Sequence, residues 1–243
     1  MTLRFVLVHG LRTSHSMWRP QVEALEAARI PVIAVDLPGH GRRIGEAFAT
    51  DAAIAAIDEG IAEARVANAA PGPVVLAGLS LGGFFAIEYA GRHPERIDGL
   101  LALGCTTRPN RLGLALYRSW SVGMASMPHG GRRVDEVAQR LLLGPQAAVD
   151  IMAGGHGIAA AADAVAAVAD LAPLDSLRRA AARGLPVWFV NGRFDHFRLE
   201  ERRFHAAVPG SFLTVVPGAS HMVNLARPQA VSRLMLGIAR AAS

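Results

Sequence analysis

Val74-Val75-Leu76-Ala77-Gly78-Leu79-Ser80-Leu81-Gly82-Gly83-Phe84-Phe85-Ala86-Ile87-Glu88-Tyr89 is the stretch on which the fold is read. It starts as a short apolar run with β-branched residues, as a buried parallel strand does, and ends with the apolar stripe of a helix. Between them lies G-x-S-x-G, followed by Gly83. A strand that turns directly into a helix forces its middle residue to positive φ. Gly78 and Gly82 then fit a close approach of strand and helix backbones, where a Cβ would clash. Such a turn lifts the Ser80 hydroxyl clear of the sheet at the positive end of the helix dipole. Alone the motif is short enough to arise by chance. It gains weight only if a base, an acid and oxyanion donors follow in the right chain order.

The rest of the chain supports that setting. At 243 residues and 51% apolar content, it is long enough for one α/β domain with an insertion and too apolar for a disordered chain. The single cysteine, Cys105, excludes an internal disulfide and a cysteine metal cluster, and a reducing, cytoplasmic setting is expected. The apolar run at Leu3 to Val8 is too short for a signal peptide, and the uncharged span Val66 to Ile87 is broken by Pro71, Gly72 and Pro73, which argues against a membrane span. All 25 basic residues are arginine, so lysine Schiff-base chemistry and a Walker-type phosphate loop are excluded. The net charge of +5 is spread in pairs such as Arg42-Arg43 and Arg202-Arg203, which read as solvated faces rather than a nucleic-acid stripe.

In order, strands are predicted at 4–8, 30–35, 74–79, 97–103, 186–190 and 211–216. Helices are predicted at 16–28, 50–68 (capped by Thr50 and Asp51), after Ser80, at 199–207, and from Met222 to about Arg240. Strands alternating with helices make a mostly parallel sheet of about six strands with helices on both faces. The rhythm breaks from Cys105 to Ala172. Helical, alanine-rich segments at 112–127, 134–143, 147–153 and 158–171, separated by Gly144-Pro145 and Gly154-Gly155-His156-Gly157, form a candidate helical cap over residues 105–172, inserted into a core of 1–104 and 173–243.

A serine hydroxyl needs an adjacent base, and that base needs an acid to fix its tautomer. In a parallel α/β sheet, chemistry gathers beyond the carboxyl ends of the strands. His221 stands in the loop leaving the last predicted strand and Asp195 in the loop leaving the one before, giving the order Ser80, Asp195, His221. His9 and His40 lie beside glycines and read as braces for tight loops, while His196, next to Asp195, is the second choice for the base. Asp36 opens a turn-rich loop where it can cap amides. Oxyanion donors are assigned to the N–H of Leu81, directly after the serine, and of Leu11, in the loop after the first strand.

Together, His9-Gly10, Asp36-Leu37-Pro38-Gly39-His40-Gly41, the Gly78–Gly82 turn and the loops with Asp195 and His221 resemble the α/β-hydrolase superfamily over nearly the whole chain. The chain looks most like small capped bacterial serine esterases and lactonases. The resemblance implies hydrolysis of a carboxylic ester or lactone through an acyl-enzyme, with no cofactor or metal, by a monomer or homodimer acting on a small, largely apolar substrate without nucleic-acid or membrane partners. Two features depart from many relatives. No β-hairpin precedes the first strand, so no antiparallel edge pair is expected, and Leu79 stands where histidine is common. A serine nucleophile also argues against epoxide hydrolase or dehalogenase activity. Tyr117, Trp120, Met124 and Met127, spaced to share part of a helix face, are either packing residues or an acyl pocket. Arg12 reads as a solvated surface arginine or a contact for an acidic substrate group. Acyl transfer, thioester hydrolysis and carbon–carbon cleavage remain open on the same triad, and a non-catalytic binding protein is the alternative of another class.

Overall fold

A computed structural model describes residues 2–66, 72–155 and 157–242. Six strands, β1 (Arg4–Val8), β2 (Val32–Val35), β3 (Val74–Leu79), β4 (Gly99–Leu103), β5 (Val187–Gly192) and β6 (Phe212–Val216), form one sheet in the order β2-β1-β3-β4-β5-β6. All five pairings are parallel. This is an all-parallel α/β sheet, without an antiparallel edge pair among the described residues.

Strand periodicity explains why these strands read as continuous apolar runs. Val6 and Val8 of β1 join one core cluster while Phe5 and Leu7 join the other; Leu76 and Val75 divide the same way on β3. Side chains alternate between two faces and both faces are covered. One cover is built by α2 (Thr50–Val66), α3 (Leu81–Arg92) and α8 (Pro173–Ala182), with Ile57, Phe85 and Leu177 fully buried. The other is built by α1 (Arg19–Ala27) and α11 (Pro228–Ala241), through Leu25, Val231 and Met235. The chain runs β1-α1-β2 in one direction and then returns by α2 to place β3 on the other side of β1. The sheet therefore has its topological switch between β1 and β3, where a crevice opens beyond the carboxyl ends.

Between β4 and α8 come α4 (Arg111–Ala125), α5 (Arg132–Leu143), α6 (Pro145–Ala153) and α7 (Ala161–Ala169), with no strand among the described residues. Asn110 caps α4, its side chain accepting the Gly113 N–H at 2.7 Å. A short α9 (Glu201–Ala207) joins β5 to β6.

The structure corrects several boundaries. Thr50 is the first residue of α2 rather than its cap. The expected end of that helix at Asn68, the Pro71 breaker and His156 lie outside the described residues. The helix α8 goes beyond the sequence reading; its signals were Pro173 at the first turn and the apolar face Leu174, Leu177 and Ala180. The single helix expected from Met222 to Arg240 is two, α10 (Val223–Ala226) and α11. Arg227 between them lies at φ −140°, ψ 63°, because the ring of Pro228 disfavours the helical region for the residue before it.

Candidate active site

Ser80 links β3 to α3 at φ 56°, ψ −116°, a conformation costing roughly 1–3 kcal/mol in a non-glycine residue. Its surroundings hold it there. Ser80 N–H donates to the Leu103 carbonyl at 2.9 Å, and its own carbonyl accepts the Phe84 N–H at 3.0 Å. A Cβ on Gly78 would lie 2.2 Å from the Gly82 carbonyl oxygen, so strand and helix backbones touch as the motif implies. Gly82 is required for a different contact: its Cβ would meet the carbonyl oxygens of Val8 and His9, at 2.4 and 2.5 Å, at the end of β1. The turn is therefore wedged between two strands. The amides of Leu81, Gly82 and Gly83 precede the first helical bond of α3, where an anion is favoured.

The loops after β5 and β6 bring an acid and a base to that serine. Ser80 Oγ lies 2.9 Å from His221 Nε2, and His221 Nδ1 lies 3.0 Å from Asp195 Oδ1. A carboxylate only accepts, so Nδ1 carries the proton and Nε2 is left to accept from the serine hydroxyl. Asp195 Oδ1 also accepts the Phe197 N–H at 2.8 Å, while the buried Oδ2 has no hydrogen-bond partner among the described residues. Burial raises the Asp195 pKa, but the hydrogen bond and charge of His221 outweigh it and hold the carboxyl below its usual range. His196, the rival base, packs its ring 4.9 Å from that of His221. Burial, then the neighbouring His221, lowers its pKa. His221, and not His196, accepts the Ser80 hydroxyl. Among the described residues, Asp195, His196 and His221 bring three ligand-type atoms within 4.8 Å of one another, a group that could hold a metal ion.

The loop after β1 is braced by two neutral histidines. His9 donates from Nδ1 to the Gly10 carbonyl at 2.7 Å and accepts the Leu37 N–H at Nε2, 3.0 Å away. His40 donates to the Pro38 carbonyl at 2.9 Å and accepts the Arg12 N–H at 3.3 Å. Gly10 N–H points to Met17 Sδ at 3.3 Å, so the amides on either side of Leu11 are committed to the brace. Leu11 and Leu81 both line the cavity that holds Ser80. Asp36 supports the same loop, accepting the backbone N–H groups of His15 and Arg42. Its burial raises the pKa, yet the bonds from His15 and Arg42 hold it well below the ordinary value.

Burial lowers the His9 pKa from 6.5 to about 3, aided by the nearby His40. Between these values the unfolded chain binds a proton that the folded chain refuses, so stability rises with pH across that window and is lost as pH falls. His9 alone should contribute about 1.4 kcal/mol per pH unit there. Thermal melts from pH 7 to pH 3 should show this limb, and His9→Gln, less stable at neutral pH, should show a shallower one. An equally steep limb in the variant would sink the assignment.

A cavity of about 600 Å³ extends above Ser80 and His221, with Leu114, Tyr117 and Trp120 of α4 and Val165 and Val168 of α7 in its walls. Tyr117 and Trp120 are thus at the site, but Met124 and Met127 are not among the lining residues. Met124 is buried against Gly131, and Met127 lies beyond the end of α4, 45% exposed. Helical spacing shows that side chains share a face but not what the face meets. Arg12 is not a solvated arginine: its side chain is 12% exposed, with Nη1 3.3 Å from Asp135 Oδ1 and the guanidinium 4.3 Å above the Trp120 ring. Phe194, Phe197 and Leu142 also line the cavity and went unread, since no local signal marks them. Cys105 is fully buried and packed on Gly83, and burial pushes its thiol pKa far up.

Comparison with known proteins identifies the family and the fold. The profile described as "Alpha/beta hydrolase family" matches residues 5–234. A pimeloyl-[acyl-carrier protein] methyl ester esterase of Edwardsiella ictaluri is 36% identical over 98 residues, 40% of this chain and 34% of that protein. The chain thus spans about a third of the length of this curated relative. E-2-(acetamidomethylene)succinate hydrolase superposes with a TM-score of 0.78 at 19% identity, over 96% of this chain and 90% of that one. The enol-lactonase of Burkholderia xenovorans does so at 0.75 and 19%, over 98% and 91%. Both likenesses concern the fold. Among the described residues no helix is long and apolar enough to cross a membrane.

Proposed function

The chain belongs to the α/β hydrolase family, and on that premise we propose that it is a serine hydrolase of carboxylic esters or lactones. The observation that carries the reading is the unbroken chain Ser80 Oγ–His221 Nε2 and His221 Nδ1–Asp195 Oδ1, at 2.9 and 3.0 Å, ending on a serine held at positive φ. His221 takes the Ser80 proton as Oγ attacks the ester carbonyl, and Asp195 stabilises the resulting imidazolium. The N–H groups of Leu11 and Leu81 receive the oxyanion, each contributing about 2.7–4 kcal/mol by analogy with protease donors. His221 then protonates the departing alcohol, and in the second half it activates water to release the acid.

Residues 105–172 act as a cap in this reading, since α4 and α7 wall the cavity over Ser80. Their apolar side chains favour a small, largely apolar acyl group. The esterase relative supports the ester bond as substrate but, matched over a third of its length, not the particular ester. Turnover of p-nitrophenyl acyl esters, lactones and acyl thioesters tests the proposal. Hydrolysis of p-nitrophenyl esters with a burst of p-nitrophenol ahead of steady state, or hydrolysis of lactones, is expected; an enzyme that cleaves none of them, or only thioesters, would overturn it.

A further inference from the structure

The surface around the cavity mouth has an unusual composition. Of fourteen large apolar side chains exposed among the described residues, eight lie between Leu116 and Leu142, each 44–81% exposed. On α5, Val134, Val137 and Leu141 fall at i, i+3 and i+7, the solvent stripe, opposite the buried Asp135. A helix on a soluble surface carries polar residues there. On α4, Leu116 and Trp120 are spaced i, i+4 and both exposed. Arg12 ties the two helices together, with Trp120 under its guanidinium and Asp135 at its tip. Trp120 and Leu142 are at once exposed and part of the cavity wall, as is Phe194 from the loop after β5. The apolar surface therefore runs into the mouth of the site.

Its charge is one-sided. Across residues 111–143, which hold α4, α5 and the turn between them, five arginines stand against two acids, and of these Asp135 is buried and Glu136 pairs with Arg140. Arg118, Arg132 and Arg133 are exposed beside the apolar residues. A second copy of the chain fits poorly, because a two-fold contact sets this face against itself and opposes arginine to arginine. Protruding aliphatic side chains with an interfacial tryptophan and flanking arginines suit a deformable, anionic, apolar layer.

We propose that the α4–α5 face docks on an anionic lipid surface and turns the mouth of the cavity toward it. An apolar ester dissolved in that layer then reaches Ser80 without crossing water; this last clause rests on the ester-hydrolase reading, whereas the docking does not.

The test is sedimentation of the full chain with vesicles of phosphatidylcholine alone or mixed with phosphatidylglycerol, alongside hydrolysis of a short soluble ester. Binding to the phosphatidylglycerol vesicles, weakened by salt, is expected. Val137→Ser combined with Leu141→Ser should lower it about tenfold or more, as should Arg133→Glu. Neither change touches the cavity lining, so soluble-ester turnover should stay at the parent rate, which also shows that the variants fold. No binding to either vesicle, equal binding to both, or binding unchanged in the variants overturns the proposal. So does concentration-dependent dimerisation lost in the same variants, or capture by soluble polyglutamate without vesicle binding. Absent ester turnover with intact vesicle binding would strike the catalytic reading alone.

Discussion

Ser80→Ala should lower kcat for ester hydrolysis by about a millionfold, by analogy with loss of the nucleophile in a serine protease. The size follows from the geometry. His221 Nε2 accepts from Ser80 Oγ at 2.9 Å, and without Oγ the base has no proton to take and no acyl-enzyme can form. Alanine keeps the Cβ that the positive φ already accommodates, and the two backbone bonds that hold the turn, to Leu103 and from Phe84, do not involve the side chain. The variant should therefore melt within a few degrees of the parent, and steady-state assays with a melt of each protein check both halves. A residual rate of a few per cent would move the nucleophile elsewhere.

Asp195→Asn should cost about 10⁴-fold in kcat while leaving KM within a few-fold. Asn is nearly isosteric, so the loop should keep its shape, although Oδ1 accepts both the Phe197 N–H and the His221 Nδ1–H, and an amide nitrogen there forfeits the first bond. The amide, however, presents an N–H where the carboxylate accepted, which turns the His221 tautomer so that Nε2 no longer accepts from Ser80. The lost charge also leaves the imidazolium unsupported in a site where burial already works against charge. Full activity in this variant would transfer the acid role to another carboxylate. The loop after β4 offers Gly104, Cys105, Thr106 and Thr107, none of them an acid.

These effects rest on residues visible in the sequence because their signals are local. Gly78, Ser80 and Gly82 mark a turn whose steric demands are met within a few residues, and Asp195 and His221 stand just past strands that read as apolar runs. The sheet was legible for the same reason: β1 and β3 bury both faces, so their composition alone identifies them. What was not legible depends on distant partners. Arg12 meets Trp120 and Asp135, more than a hundred residues along the chain, and nothing near Arg12 announces them. Met124 and Met127 had the right spacing for a shared face, but spacing does not reveal that Gly131 would cover one and that α4 would end before the other. Pro173 and Pro228 stand in the first turns of their helices, but a proline suits the end of one element as well as the start of the next, so neither marks a helix by itself.

The central claim is that Ser80 is a nucleophile activated by His221. Reaction with a fluorophosphonate, followed by peptide mass mapping, tests it most directly. The account predicts one adduct per chain, on the peptide containing Ser80, formed in step with loss of ester turnover and absent in Ser80→Ala. An adduct on another residue, or full inactivation of Ser80→Ala by the same reagent, would contradict it.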